Sequence, residues 1–242
     1  MEGPAIEINQ LVYERGGKRI LDGLSLNVRS NHIFGFIGPN GAGKSTTIKS
    51  LLGLVTPKSG WLRLHGRPVS DVSVRREIGY LPEEAHYYKF LTPMETLRFY
   101  GELCGMDRVS IRKRSDELLD LVGLSSVKNK LAGTFSKGMA QKLSLAHTLL
   151  HDPQTLILDE PTSGLDPIAR SDLRELLKEL KARGKTIFFS SHELSEVELL
   201  CDSVAMLRAG RIVLAGPTHE VVSHADQNLE KLFVKLMKGD AL

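Results

Sequence analysis

One segment of the chain has the residue types and spacing needed to hold phosphate groups. Residues 38–45 read Gly-Pro-Asn-Gly-Ala-Gly-Lys-Ser and match the pattern G-x-x-x-x-G-K-[ST] in full. Glycines let backbone N–H groups converge on phosphate oxygens, Lys44 adds a charge for the β- and γ-phosphates, and the Ser45 hydroxyl is suited to ligate Mg²⁺. The residues predicted to bind ATP here are Gly38, Pro39, Asn40, Gly41, Ala42, Gly43, Lys44, Ser45 and Thr46.

A second segment supplies two carboxylates at the end of an apolar run. Residues 156–158 read Leu-Ile-Leu and are followed directly by Asp159 and Glu160. An apolar strand that ends this way places its carboxylates at the carboxyl edge of a parallel sheet, where ligands of such folds bind. We expect Asp159 to hold Mg²⁺, directly or through water, and Glu160 to polarise a water that attacks the γ-phosphate.

A parallel sheet is predicted to position both segments. The apolar runs at residues 33–37, 155–158 and 186–190 read as buried strands, and a helix is expected directly after the phosphate-binding segment. Between the last two runs, four leucines follow the i, i+3, i+4, i+7 spacing of a helix with one apolar face, and Gly184 stands where a C-terminal cap belongs. These leucines are Leu173, Leu176, Leu177 and Leu180. Strand, helix and strand in succession imply a parallel sheet.

Other elements are expected around this core. The first 30 residues or so alternate apolar and polar types and predict short strands, with Gly16-Gly17 as a turn. Residues 86–135 read as helical: Thr92-Pro93-Met94-Glu95 is a good helix start, and residues 116–122 suggest a second helix closed by Gly123. Near the C-terminus, Leu229, Leu232, Phe233 and Leu236 predict one amphipathic helix, within about residues 225–242, that packs on the domain.

Composition excludes several classes of protein. The 242 residues carry a formal net charge of +3, too small and too evenly spread to favour nucleic acid as a partner. Cys104 and Cys201 form no metal or redox spacing and are expected to be reduced thiols. No apolar run approaches the roughly 20 residues of a membrane-spanning helix, and the first residues do not resemble a secretion leader. Any link to a membrane is therefore expected to go through a partner.

Several motifs together resemble the ATPase subunits of ABC transporters. Residues 159–167 read Asp-Glu-Pro-Thr-Ser-Gly-Leu-Asp-Pro, like the Walker B and D-loop stretch of that family, and residues 135–142 resemble its signature. His192 occupies the position of the switch histidine, and residues 78–83 resemble the segment that carries the Q-loop. These motifs stand in the family order, and the resemblance covers nearly the whole chain.

The resemblance implies a fold and an assembly. The expected fold is α/β: a P-loop NTPase core with a mostly parallel sheet, an N-terminal antiparallel β layer, and an α-helical subdomain inserted at about residues 86–150. All 242 residues would form one ATPase domain. Family members dimerise head to tail around two ATP molecules, and the second ATPase cassette is expected to be either an identical or a different chain.

The resemblance also assigns roles to single residues. Ser136, Lys137 and Gly138 would meet the γ-phosphate bound by the opposite subunit, and Asp166 would lie at the dimer interface. His192 and Glu83 would sense the γ-phosphate, and Glu83 would also be a Mg²⁺ ligand. Together with Glu160 and Lys44, these two residues form the predicted catalytic set.

Some positions depart from the common family pattern. The signature reads Phe-Ser-Lys-Gly-Met where Leu-Ser-Gly-Gly-Gln is usual, and Glu83 replaces a glutamine. Both departures resemble those in two-component exporters, which favours export over import. At the position of the adenine-stacking aromatic stands Arg15, which can stack by cation–π contact. Tyr13 would point to the same side of an extended strand, and its alternative role is core packing.

The resemblance finally predicts the partner and the location. A separate transmembrane subunit of an ABC transporter is expected to dock its cytoplasmic helices on residues 84–89, and ordinary loop packing is the alternative there. The chain would then lie peripherally on the cytoplasmic face of the cell (inner) membrane. Two alternatives stay open: an ABC ATPase that acts on ribosomes or DNA instead of a transporter, and a degenerate module that binds nucleotide without turnover.

Overall fold

The structure is a computed structural model that describes residues 3–84, 87–223 and 228–238. Strands and helices alternate through most of the chain. In chain order they are β1 (Pro4–Arg15), β2 (Lys18–Arg29), β3 (Ile33–Ile37), α1 (Lys44–Leu51), β4 (Ser59–Leu64), β5 (Arg67–Pro68), β6 (Ile78–Leu81), α2 (Pro93–Leu103), α3 (Arg108–Leu121), α4 (Lys137–Thr148), β7 (Thr155–Asp159), α5 (Pro167–Ala182), β8 (Thr186–Ser191), α6 (Leu194–Leu200), β9 (Ser203–Arg208), β10 (Arg211–Pro217), α7 (Thr218–Ser223) and α8 (Leu229–Lys238).

The N-terminal layer is an antiparallel sheet with strand order β2-β1-β4-β5. The turn between β1 and β2 is formed by Gly16 and Gly17, whose φ angles of 58° and 76° suit the left-handed turns that hairpins prefer. The predicted turn and strand type are therefore confirmed. The strands are longer than predicted, at 12 residues each, because register irregularities let β1 bend and continue instead of ending.

The central sheet has the order β10-β9-β3-β8-β7-β6. All its neighbouring strands are parallel except β10, which pairs antiparallel with β9. Every residue of β3, β7 and β8 is buried, since both faces of the sheet are covered. The three strands predicted from apolar runs are confirmed as neighbours in a parallel sheet, and the α/β fold class is confirmed with them.

Apolar side chains fill the space on both faces of the central sheet. On one face, Phe36 and Phe188 pack with residues of the antiparallel sheet. On the other face, the helices cover Leu156, Leu158 and Phe189. The strands β3 and β7 flank β8 between these two cores. Their carboxyl ends, and the loops that leave them, consequently lie side by side at one edge of the sheet.

Helices α2, α3 and α4 lie between β6 and β7 in the chain. Thr92 caps α2 in a reciprocal capping box with Glu95, as predicted. The second predicted helix, at residues 116–122, was too short: α3 begins at Arg108 because the Asp107 side chain accepts the backbone N–H groups of the first turn. The helices fall within the predicted insert at residues 86–150, whose residue 86 lies outside the described part. That this segment is a subdomain stays a prediction.

The remaining helices agree with the apolar spacing of the sequence. All four leucines of the predicted helix are buried on α5, and Gly184 follows it with a φ of 88°. The predicted C-terminal helix is α8, whose Leu229, Leu232 and Leu236 are buried in the main core. Residues 225–227 and 239–242 of its predicted range lie outside the described part. Within the described ranges, every helix is too short or too polar to cross a membrane.

Candidate functional site

The loop between β3 and α1 contains two glycines at which any other residue would force neighbouring atoms to move. Gly43 has a φ of 114°, and a Cβ built there would lie 2.8 Å from Leu21 Cδ2. A Cβ on Gly38 would lie 2.6 Å from the carbonyl oxygen of Leu207. Gly43 is also the N-cap of α1 and has no side chain to cap it. The N–H groups of the first helical turn are thus left for an anion.

The residues predicted to bind phosphate differ in their exposure along this loop. Pro39, Asn40, Gly41 and Ser45 are exposed, and Thr46 is half-buried. Gly38, Ala42, Gly43 and Lys44 form the buried floor of the loop. The backbone is braced from both sides, because the Ala42 N–H donates to the Pro39 carbonyl and the Ala42 carbonyl accepts from the Gly210 N–H. The loop is therefore a cradle with a buried, hydrogen-bonded floor and exposed residues on its other side.

Lys44 lies buried at the centre of this cradle. Its ammonium group donates a hydrogen bond of 2.6 Å to the Gly38 carbonyl oxygen and lies 3.3 Å from Glu160 Oε1. Charges this deeply buried require a partner, and here the lysine and the glutamate neutralise each other. The two segments singled out from the sequence are thus in direct contact.

Glu160 holds a second contact on its other carboxylate oxygen. Oε2 accepts the backbone N–H of His192 at 3.2 Å and lies 2.7 Å from its Nδ1. The φ of Glu160 is 48°, a left-handed value that side chains other than glycine rarely adopt and that is typical of functional sites. A buried carboxylate between a lysine and a histidine is well placed to accept a proton from a bound water.

Ser190 was not identified from the sequence, yet it holds both carboxylate-bearing residues in place. Its hydroxyl donates to Asp159 Oδ1 at 2.5 Å and accepts the backbone N–H of Glu160 at 3.1 Å. The contact arises because Asp159 and Ser190 are paired across β7 and β8. Burial raises the pKa of the Asp159 carboxyl, and the charge of Glu160 raises it further, whereas the Ser190 hydrogen bond and the Lys44 charge lower it.

The donor set fits Mg²⁺ bound jointly with phosphate. Among the residues that the structure describes, no group of three or more His, Cys, Asp or Glu side chains could hold a metal alone. Mg²⁺ usually takes one or two carboxylates and completes its shell with water and substrate phosphates. The Asp159 carboxylate and the exposed Ser45 hydroxyl, beside an anion cradle, match that requirement. Glu83 is exposed two residues beyond β6, the strand that pairs with β7.

The signature residues lie beside the turn that follows Glu160. Ser136 caps α4 by accepting the Met139 N–H at 3.2 Å, as predicted. A Cβ on Gly164 would lie 2.3 Å from Lys137 Nζ, so the lysine side chain covers this glycine. Gly138 is packed closely against α5, since a Cβ there would lie 3.1 Å from Ala169 Cβ.

Gln141 and Asp166 make further contacts close to the same turn. Gln141 of α4 donates from Nε2 to the Pro161 carbonyl at 3.0 Å. Asp166 is the N-cap of α5 and accepts the N–H groups of Ile168 and Ala169 at 3.0 and 2.9 Å. The sequence pattern Asp-Pro is typical of such a helix start, and this role of Asp166 was missed.

The two candidates for stacking on adenine differ in their surroundings. Tyr13 is half-buried and packs against the core between the sheets, whereas Arg15 is exposed. The register is irregular between Tyr13 and Glu14, so the strict alternation expected to align the two side chains is interrupted. The packing of Tyr13 favours its alternative role, and Arg15 is left as the exposed candidate.

An exposed aromatic patch lies after the position of Glu83. Tyr88, Phe90 and Phe99 are 47%, 71% and 36% exposed, and Tyr88 contacts each of the other two rings at a centroid distance of 5.5 Å. We call these three residues the aromatic patch. It overlaps the predicted docking segment at residues 84–89, of which residues 85 and 86 lie outside the described part. Exposed aromatic clusters of this kind are typical of protein contact surfaces.

Comparison with known proteins gives a consistent result. A family model described as ABC transporter matches residues 21–163. The chain is 45% identical over 204 residues to an uncharacterised ABC transporter ATP-binding protein of Nostoc, covering 84% of this chain and 61% of the relative. It thus spans about three fifths of that relative's length. It is 37% identical over 223 residues to Nod factor export ATP-binding protein I of Ralstonia nicotianae, covering 91% of this chain and 70% of the relative.

A solved structure shows the same similarity in three dimensions. It is described as the ATP binding subunit of an ABC transporter and superposes with a TM-score of 0.85 at 33% sequence identity. The match covers 96% of this chain and 99% of the solved chain. The arrangement of strands and helices described above is therefore that of a known class of nucleotide-binding subunits.

Proposed function

The chain belongs to the ABC transporter family, and on that premise we propose that it binds and hydrolyses ATP to power a separate transmembrane subunit. One observation carries this proposal: Glu160 lies buried between Lys44 of the phosphate loop and His192. A degenerate binding module would not need that arrangement. We further propose that the whole chain acts as one ATPase domain, with the helices between β6 and β7 as its inserted subdomain.

The proposed reaction is the attack of water on the γ-phosphate of ATP. The backbone N–H groups of the loop and α1 would hold the phosphates, and Lys44 would stabilise the charge that develops on them. Glu160 would orient the attacking water and take its proton. Mg²⁺, bound by Ser45 and Asp159 together with the phosphates, would supply further charge neutralisation. Glu83 and His192 would respond to the presence of the γ-phosphate.

The contact between Lys44 and Glu160 suggests how the base becomes available. The Lys44 ammonium group lies 3.3 Å from Glu160 Oε1 and forms an ion pair with it. A bound triphosphate offers Lys44 a stronger anionic partner, so the carboxylate is released on that side and keeps only the His192 contact. Binding of ATP would in this way prepare Glu160 to accept a proton.

A second cassette would complete the site. Ser136 and Lys137 are exposed at the N-terminal end of α4, where Ser136 is the N-cap. Such a helix start favours anions. We propose that Ser136, Lys137 and Gly138 contact the γ-phosphate held by the opposite subunit, with Asp166 at the interface. The opposite subunit is an identical or a different chain.

The aromatic patch supports the proposed membrane partner. Three partly exposed rings next to the Glu83 segment offer an apolar surface to which cytoplasmic helices of a transmembrane subunit could bind. The chain would lie peripherally on the cytoplasmic face of the membrane, held by that subunit, which would also choose the substrate. Export is favoured by Lys137 and Glu83, which depart from the common motifs, and by the relative named for Nod factor export.

Substitution of Glu160 tests the proposal. In Glu160→Gln, ATP should still bind with similar affinity, turnover should fall by at least about 100-fold, and ATP should trap a dimer. Glu175→Gln, an exposed change on α5, is the matched control and should leave turnover intact. Undiminished turnover in Glu160→Gln would exclude the assigned role.

The same variant identifies the partner. Tagged Glu160→Gln protein, purified with ATP from detergent-solubilised membranes, should bring down a multi-span membrane protein at near-equal stoichiometry in mass spectrometry. Ribosomal or DNA-bound material without a membrane protein would refute the transporter role and leave the ATPase assignment.

A further inference from the structure

Two arginines on α5 bind two glutamates at the start of α6. Arg170 Nη1 lies 2.8 Å from Glu193 Oε2. One turn further on, Arg174 forms a fork on Glu196, with Nη2 2.9 Å from Oε1 and Nε 3.1 Å from Oε2. Both pairs join the same two helices. Of the two pairs, only Arg170–Glu193 includes a residue adjacent in sequence to His192 of the predicted catalytic set.

Arg170 makes a second contact that Arg174 lacks. Its Nε donates a hydrogen bond of 2.9 Å to the carbonyl oxygen of Leu165. Leu165 ends a series of turns that starts at Glu160, because the Ser163 N–H donates to the Glu160 carbonyl and the Leu165 N–H donates to the Thr162 carbonyl. Arg170 therefore anchors the far end of the segment that carries Glu160.

Glu193 connects the other side of this arrangement. It is the N-cap of α6, yet its carboxylate accepts no capping hydrogen bond and faces Arg170 instead. The preceding residue, His192, donates its backbone N–H to Glu160 and places Nδ1 2.7 Å from the same oxygen. The contacts form a closed ring from Glu160 through Leu165, Arg170, Glu193 and His192 back to Glu160.

We propose that Arg170 is a positioning residue for ATP hydrolysis, which rests on the proposed ATPase function. It holds the turn after Glu160 and the residue after His192 at a set separation, so that the carboxylate and the imidazole stay in contact. A guanidinium suits this task because Nε donates a hydrogen bond to the Leu165 carbonyl while Nη1 forms an ion pair with Glu193, and one ammonium group does both less well. Loss of the anchor would let Glu160 move, and small misplacements of catalytic groups cost large factors in rate.

Arg174 provides a matched control within the same helix pair. The side chains of Arg174 and Glu196 are 20% and 9% exposed, against 33% and 18% for Arg170 and Glu193. The control pair is thus the more buried of the two and is bidentate. If the arginines served only to join α5 to α6, loss of Arg174 would be at least as damaging as loss of Arg170.

The test compares Arg170→Met, Arg170→Lys and Arg174→Met in the full chain. In Arg170→Met, kcat should fall by about 10- to 100-fold while the Kd for ATP stays within about twofold. Arg170→Lys should show an intermediate kcat, since one amine can satisfy one of the two acceptors. Arg174→Met should keep kcat within about threefold even though it lowers Tm at least as much. Equal losses of kcat in the two methionine variants, or parallel losses of kcat and ATP affinity, would overturn the proposal.

A second measurement does not depend on turnover. Amide hydrogen exchange of His192 in the nucleotide-free chain, followed by NMR, should be at least about tenfold faster in Arg170→Met and unchanged in Arg174→Met, because the ring holds that N–H on Glu160. If the unaltered chain shows no ATP turnover, the proposed ATPase function fails, and the exchange rates still decide whether Arg170 holds the ring. Equal exchange in all variants refutes the positioning role.

Discussion

The signature helix α4 carries a histidine that should make the fold sensitive to mild acid. His147 lies in the last turn of α4 and stacks on Tyr100 of α2, with ring centroids 4.1 Å apart and an interplanar angle of 29°. The pKa of His147 is lowered from 6.5 to about 4, mainly by burial; a hydrogen bond to the backbone of Ser144 opposes the shift, and the charge of His151 adds to it. The imidazole is therefore held neutral between two helices of the insert.

The magnitude follows from the difference between the folded and unfolded states. Because the folded pKa is the lower one, the unfolded chain takes up the proton first as pH falls. The stability contributed by neutral His147 is present above pH 6.5 and is lost as pH falls through the range down to about 4. Protonation of His147 lowers the free energy of unfolding by about 3 kcal/mol in total. About 2 kcal/mol of this decrease occurs between pH 7 and pH 5.

Urea unfolding of His147→Gln at pH 7, 6 and 5 measures this contribution. At pH 7 the variant should be less stable than the unaltered chain by about 1 kcal/mol, because the aromatic stack is lost. At pH 5 the order should be reversed by a similar amount. The matched control Tyr100→Phe keeps the ring and the titrating imidazole, so it should retain the pH dependence of the unaltered chain. Parallel stability curves for His147→Gln and the unaltered chain would refute the reasoning.

Four further predictions concern the site itself. Asp159→Asn should stabilise the nucleotide-free chain at pH 7, because the raised pKa of Asp159 makes its ionised form a cost there; urea unfolding should show this gain shrinking as pH falls, and a gain independent of pH would contradict it. Gly38→Ala should cost about 1–3 kcal/mol and weaken ATP binding at least about tenfold in a titration, since its Cβ would meet the Leu207 carbonyl at 2.6 Å. Ser136→Ala should lower stability by about 1 kcal/mol in thermal unfolding through loss of the α4 cap, and no change in Tm would contradict that role. Arg15→Tyr should strengthen ATP binding about two- to fivefold, and equal changes in the affinity for ATP and for tripolyphosphate would show that residue 15 does not contact the base.

Much of the fold could be predicted because its signals are local. A run of buried residues such as 33–37 reads as a strand whatever surrounds it, and Gly16-Gly17 forms a tight hairpin through its own backbone freedom. The errors had one local and one non-local origin. The start of α3 was missed because the cap at Asp107 precedes any clear apolar spacing, and strand lengths were underestimated because bulges in β1 depend on pairing with its neighbours.

The sequence by itself determined which groups are candidates for chemistry: a phosphate-binding loop, two carboxylates after a strand, and a histidine after another, all in one order. It could do so because each motif is a short stretch whose function depends on residue type and spacing. Only the tertiary structure decided which of these groups touch. Ser190 contacts Asp159 through strand pairing, and Arg170 reaches Glu193 through the packing of two helices. These two contacts join residues 31 and 23 positions apart and depend on the register and angle of whole elements, which no local pattern specifies.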